Sequence, residues 1–195
     1  MKTARTFLAL AVLATSAGAF AAAHTGAPMP GATGTALTAT AGAASLDRID
    51  KTFFEKAAAG GMFEVEAGKL AQQKGQDAKV KAYGAMLVND HAAANDELKA
   101  LAARKGVTLP TALSRDMQKK LDKLGEEKHF DRAFMKDVGQ HDHKKDISLF
   151  EKTAGKSMDA DVKAFAMKTL PTLQSHQKQA DALAREVKDS KRASK

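Results

Sequence analysis

The sequence predicts an all-α fold: four long helices paired as two hairpins, with a long crossover between the second and the third. Three observations carry this expectation. From Leu46 onward, apolar residues recur at alternating three- and four-residue steps through four long stretches. Alanine and lysine abound while aromatic residues make up only 5%, a composition that favours helix. The chain also repeats itself. DAKVKAYG at 77–84 returns as DADVKAFA at 159–166, and the spacing of Phe54 to Leu70 returns in Phe134 to Phe150.

Before Leu46 the chain is of a different kind. Residues 1–23 read as a secretory signal peptide: Lys2 and Arg5 form the positive end, Phe7 to Phe20 the apolar stretch, and Ala21-Ala22-Ala23 the small-residue cleavage site. A transmembrane anchor is the alternative, and the short, Ala-rich apolar run disfavours it. Cleavage near Ala23 would deliver the protein to the periplasm or the medium. It would remove two of the 31 Lys+Arg and none of the 23 Asp+Glu, leaving a mature net charge of +6. Residues 24–45, rich in Gly, Ala, Thr and Pro, read as a flexible linker. With no cysteine there is no disulfide framework, thiolate metal site or lipidated Cys.

The helices are expected at about 47–74, 77–104, 130–155 and 159–188, so that 46–188 forms the domain and 189–195 a basic tail. Gly75 and Gly155 mark the hairpin breaks; Gly106, followed by Pro110, ends the second helix. The connection 106–129 is long and carries a short helix around Arg115–Leu124. Two short loops and one long crossover is the connectivity of ferritin-like bundles. A simple up-down bundle needs no connection of that length.

Advancing about 100° per residue assigns faces to the side chains. In the second helix Val80, Gly84, Leu87, Ala94, Leu98 and Leu101 form one stripe, with His91 in its middle. In the fourth, Val162, Phe165, Thr169, Leu173, Ala180, Leu183 and Val187 do the same around His176. In the first, Glu64 shares a face with Phe53, Phe54, Ala57, Gly61, Gly68 and Ala71. The third helix is out of phase. Phe134 and Val138 point with His141, whereas Ile147, Phe150 and Ala154 point with His143. A π-bulge near Gly139–Asp142 would reconcile the two halves; a break at Gly139 or a broad buried face would also explain them. Along the axis from each hairpin loop, Glu64 and His91 lie about 17 and 23 Å out, and His143 and His176 about 22 and 28 Å. These heights are compatible with one layer.

An unpaired polar group in an apolar core costs roughly 1–3 kcal/mol, and a bare carboxylate more. Three imidazoles and a carboxylate therefore either satisfy one another or bind something. Neutral imidazole is the commonest ligand of transition metals, so Glu64, His91, His143 and His176 are the candidate ligands of one metal ion (Fe, Zn or Cu), with His141, Asp90 and Asp142 as weaker candidates. The alternative is a metal-free buried network in a structural or protein-interaction bundle.

The stretches GGMFEVEAGKLAQQKG (60–75), LVNDHAAANDELKALAARKGVTLP (87–110), HDHKKDISLFEK (141–152) and DVKAFAMKTLPTLQSHQKQA (161–180) resemble the bacterial domain-of-unknown-function family 4142. The resemblance covers about residues 48–187, with the block around KTLPTLQSH most specific. Members are often labelled outer-membrane proteins, and the family is classed as ferritin-like, which implies the same four-helix fold. Its pattern implies roles for the Glu of GGMxEV (Glu64), for the Asp-His pairs Asp90-His91 and Asp142-His143, and for His176. It implies no activity. Di-iron bundles use Glu-x-x-His motifs, but Val88, Gln140 and Leu173 stand three residues before these histidines. A carboxylate-bridged di-iron oxidase is thereby disfavoured, and no catalytic residue is singled out.

Other signals are weaker. Pro171 should kink the fourth helix one turn before His176, either as a packing accommodation or to open space beside the site. The eight Met are scattered and read as core filler. The basic tail is a solvated end that could make weak contact with an anionic envelope surface. No nucleic-acid partner is expected from an exported chain with few aromatics for stacking, and no nucleophile elbow, phosphate loop or zincin motif is present. The expected role is metal handling or stress response in the envelope.

Overall fold

Each of the two repeated octapeptides opens on an aspartate, and each aspartate caps a helix. The computed structural model describes residues 46–193; the expected signal peptide (1–23) and linker (24–45) and the last two residues of the tail lie outside the described residues. Asp77 accepts the Lys79 N–H at 2.7 Å, and Asp159 accepts the N–H groups of Asp161 and Val162 at 3.0 and 3.1 Å. Asp47 does the same for Ile49 and Asp50, and Ser114 for Met117. Such caps satisfy amide donors that the first helical turn leaves open.

The helices are α1 (Arg48–Lys74), α2 (Ala78–Arg104), α3 (Arg115–Gly125), α4 (Phe130–Phe134), a π-helical segment (Met135–Asp142), α5 (His143–Lys156) and α6 (Ala160–Ala193). No strand occurs among the described residues, and none of their helices is long and apolar enough to cross a membrane. The fold is all-α, as expected, and α4, the π segment and α5 together occupy the expected third helix. At both junctions the backbone stays in the right-handed helical region, so Gly139 does not break it. Gly106, at φ 66°, ends α2: its N–H reaches the Ala103 carbonyl at 3.2 Å and that of Val107 the Ala102 carbonyl at 2.9 Å. Gly155 does not mark a break; it lies inside α5, and the chain turns at Ser157, whose extended backbone follows the helix. Ser157 Oγ donates to the buried Asp50 at 2.6 Å, tying this turn to the start of α1. α6 runs past the expected end at 188, because neither glycine nor proline intervenes there.

α1 packs on α2, α5 on α6, α1 on α5 and α2 on α6, closing a ring; α3 lies across α1 and α4. The core inside is two apolar clusters. One gathers Phe53, Phe54, Leu98, Leu101, Phe150, Val162, Phe165 and Leu173. The other gathers Phe63, Ala67, Val80, Tyr83, Leu87, Phe134, Val138 and Ala180. Every long helix crosses from one cluster to the other, and at the crossing it carries a buried polar residue: Glu64, His91, His143 and His176.

Small residues let the backbones approach near this level. A Cβ added at Gly68 would stand 2.6 Å from the Gly84 carbonyl oxygen, and one at Gly139 would stand 2.8 Å from Ala180 Cβ. A Cβ at Gly155 would meet nothing within 4 Å. Gly68→Ala should therefore destabilise by roughly 1–3 kcal/mol, because a backbone oxygen cannot swing aside, whereas Gly155→Ala should stabilise by about 0.4–1 kcal/mol. Chemical denaturation of both variants tests this; equal effects would contradict the close approach of α1 and α2.

Candidate metal centre

An uninterrupted α-helix would place His141 behind Phe134 and Val138. The π segment, bonded i to i+5, delays the turn and brings His143 there instead. His143 is fully buried and His141 is exposed. The imidazole holds its own shift in place: His143 Nδ1 lies 3.0 Å from the Val138 carbonyl, five residues back. A carbonyl only accepts, so Nδ1 carries the proton and the lone pair of the neutral ring sits on Nε2.

His176 is oriented from the other side. Its Nε2 lies 2.8 Å from Asp90 Oδ2, and the carboxylate accepts that N–H. In the neutral tautomer this selects, the lone pair lies on Nδ1, which faces His143 Nε2 at 3.3 Å. The Tyr83 hydroxyl donates to the His176 carbonyl at 3.1 Å, fixing α6 against α2. The third imidazole, His91, has a buried Nε2 with no hydrogen-bond partner. The rings form a triangle with centroids 5.3, 5.4 and 5.6 Å apart. One nitrogen from each lies within 4.8 Å of the others, and these three buried histidines could hold a metal ion. Two nitrogens bound to a tetrahedral ion at 2.0–2.1 Å stand about 3.3 Å apart, which is the His143–His176 separation.

The chain belongs to the family described as Domain of unknown function (DUF4142). The family model matches residues 35–183, a span that includes every residue of this site. No curated protein and no solved structure matches the chain.

In this DUF4142 domain the remaining expected site residues take other places. Glu64 is buried, but its Oε1 approaches His143 from the Nδ1 edge, 3.5 Å away, and neither carboxylate oxygen has a hydrogen-bond partner. It stands beside the histidine triangle, not within it. Asp142 pairs with Lys120 and lies 3.7 Å from Lys145. Asp90, preceding its histidine just as Asp142 does, instead orients a histidine of another helix.

Burial sets the electrostatics. It lowers His91 well below the ordinary imidazole range, reinforced by the other two rings. It lowers His143 to about 4, against the opposing bond to Val138. Both rings are thus neutral near pH 7 and have lone pairs to offer. Burial raises Glu64 well above the carboxylate range, helped by Asp146 and Asp142 and opposed by Lys120, so its contact with His143 is not a salt bridge. Asp146, which sequence reasoning passed over, is raised to about 7 by burial and by Asp142. It lies against Gly60, with Oδ1 3.3 Å from where a Cβ would stand. The signal for it was its position three residues after His143, one turn along the same face.

Between pH 4 and 7 the folded chain keeps a proton on Asp146 that the unfolded chain has released. Folding then takes up a proton, and stability falls as pH rises through that window. In chelator, Asp146→Asn should match the wild type near pH 4 and exceed it at pH 8 by on the order of 2 kcal/mol, a figure reduced for partial exposure. Denaturant titrations from pH 4 to 8 test this; a difference independent of pH would refute the shift.

Proposed function

We propose that this chain is an exported helical bundle whose core holds one transition metal ion on His91, His143 and His176, serving metal handling or stress response in the cell envelope. The observation that carries this reading is the convergence of three buried imidazoles whose ligand atoms all lie within 4.8 Å of one another. Two of them are aimed by hydrogen bonds from their outer nitrogens, to Val138 and Asp90. A ligating histidine characteristically donates its other N–H to a carboxylate or a backbone carbonyl, and both arrangements occur here. Lone pairs facing each other at 3.3 Å repel unless a cation lies between them. An all-imidazole set suits Zn, Cu or Fe, and with no carboxylate to bridge two ions it points to a mononuclear centre. Glu64 then acts from the outer edge of His143, where a positive ion nearby offsets the cost of its burial. Export rests on the composition of residues 1–23.

A second reading has one observation in its favour. The 3.3 Å contact also suits a proton shared between His143 and His176, which would make the site a metal-free network running from Asp90 to Val138. Elemental analysis separates the two. Mature protein purified without a tag from a native-like periplasm should carry about one metal ion per chain, as expected of a preformed site. At a free metal concentration 100-fold above Kd, the ion should stabilise the fold by about 2.7 kcal/mol, lost on chelation. His91→Ala should lose both the metal and that stabilisation. Identical melting with and without chelator, together with trace metal only, would sink the proposal. Asp90→Asn should weaken metal binding by about 10–100-fold while the three ligands stay in place. Unchanged affinity in a competition titration would remove Asp90 from the site.

A further inference from the structure

A pocket of ≈ 250 Å³ opens between α2 and α6, and its inner wall is formed by His91 and His176. His143 is fully buried and takes no part in that wall. Resting on the metal reading above, we infer that the ion keeps an open coordination position facing this pocket, and that a small anion with an oxygen or nitrogen donor occupies it.

Four features support the inference. Three protein ligands leave a tetrahedral ion one position short, the pattern of sites that exchange a ligand. The missing position falls on the pocket side, because His143 is backed by Val138 and Glu64 and the other two ligands border the opening. Charge is the third feature. Three neutral imidazoles cancel none of the charge of a divalent ion, and the nearest carboxylate in the pocket, Asp90, is already engaged by His176. An anion entering from the pocket completes both the coordination and the charge balance in surroundings that screen charge poorly. The fourth is the wall itself. Lys168, Thr169 and Thr172 line the α6 side of the opening, on the turns around Pro171. Proline removes the backbone bond to the Met167 carbonyl there. Lys168 is held across the mouth by both oxygens of Glu97 at 2.8 Å, linking α6 to α2 over the entrance. Pro171 itself is exposed and does not line the pocket.

The test uses the mature chain loaded with Co(II), whose visible absorption reports coordination, and titrates azide and then acetate. A second protein, Ala94→Phe, fills the pocket from α2 while leaving all three histidines unchanged. If no cobalt binds the wild type, the metal reading itself fails, and the inference falls with it. If cobalt binds, azide should change the visible band saturably in the wild type. In Ala94→Phe, cobalt should bind as before while the azide affinity falls by about tenfold or more, the effect of a steric block built against one ligand. A cobalt band that azide leaves unchanged in the wild type would overturn the open position and leave the metal site standing. An equal azide response in both proteins would overturn the pocket as its route.

Discussion

Three imidazoles and a carboxylate lie out of water at the level where the two apolar clusters meet, and much of the molecule is arranged around the cost of keeping them there. Each buried polar atom without a partner costs on the order of 1–3 kcal/mol. The domain offsets part of this with bonds drawn from two helical elements, the π segment and α2. Val138 gives a carbonyl to His143, Asp90 a carboxylate to His176, and Tyr83 a hydroxyl to the His176 backbone. What remains uncompensated is concentrated: both oxygens of Glu64 and Nε2 of His91. The unmet Nε2 belongs to the cluster of three histidines that could hold a metal ion, and Glu64 stands beside that cluster.

The π segment is the device that makes this convergence possible. It costs regular hydrogen bonding over Met135–Asp142, and it keeps both apolar halves of the third helical rod facing the core. Phe134 and Val138 pack in one cluster and Phe150 in the other, with His143 between them. Gly139 allows the segment to lie close against Ala180 of α6, which brings the imidazoles of His143 and His176 within reach of each other. Backbone irregularity, small residues and a buried histidine are one structural solution here.

Much of the fold was legible in the sequence because its signals are local. The aspartates of the repeat are caps, and a cap acts on the next three residues of its own chain. His91 and His176 were placed correctly because α2 and α6 are regular, so that counting 100° per residue holds along their length. Between His141 and His143 the count left a choice, since two phases coexist in the third helix and only an inserted turn distinguishes them. Gly155 was misread as a hairpin break because glycine at a helix end and glycine within a helix carry the same letter. Tyr83 was visible as the only difference in hydroxyl content between otherwise matching aromatic positions, Tyr83 and Phe165, yet nothing local says that its oxygen reaches α6.

By itself the sequence determined the helices, their caps, the face each buries and the polar residue that each face carries, because these follow from backbone hydrogen bonding and periodicity within about a turn. The tertiary structure decided the site. Glu64 shares the level of the histidines but meets the outer edge of His143, and Asp90 and Asp142, each one residue before a histidine, find an imidazole and two lysines respectively. Which ring edge faces which neighbour depends on differences of a few ångströms in height and a fraction of a turn in rotation between helices far apart in the chain. Those quantities are set by how the helices pack, and no spacing within a single helix records them.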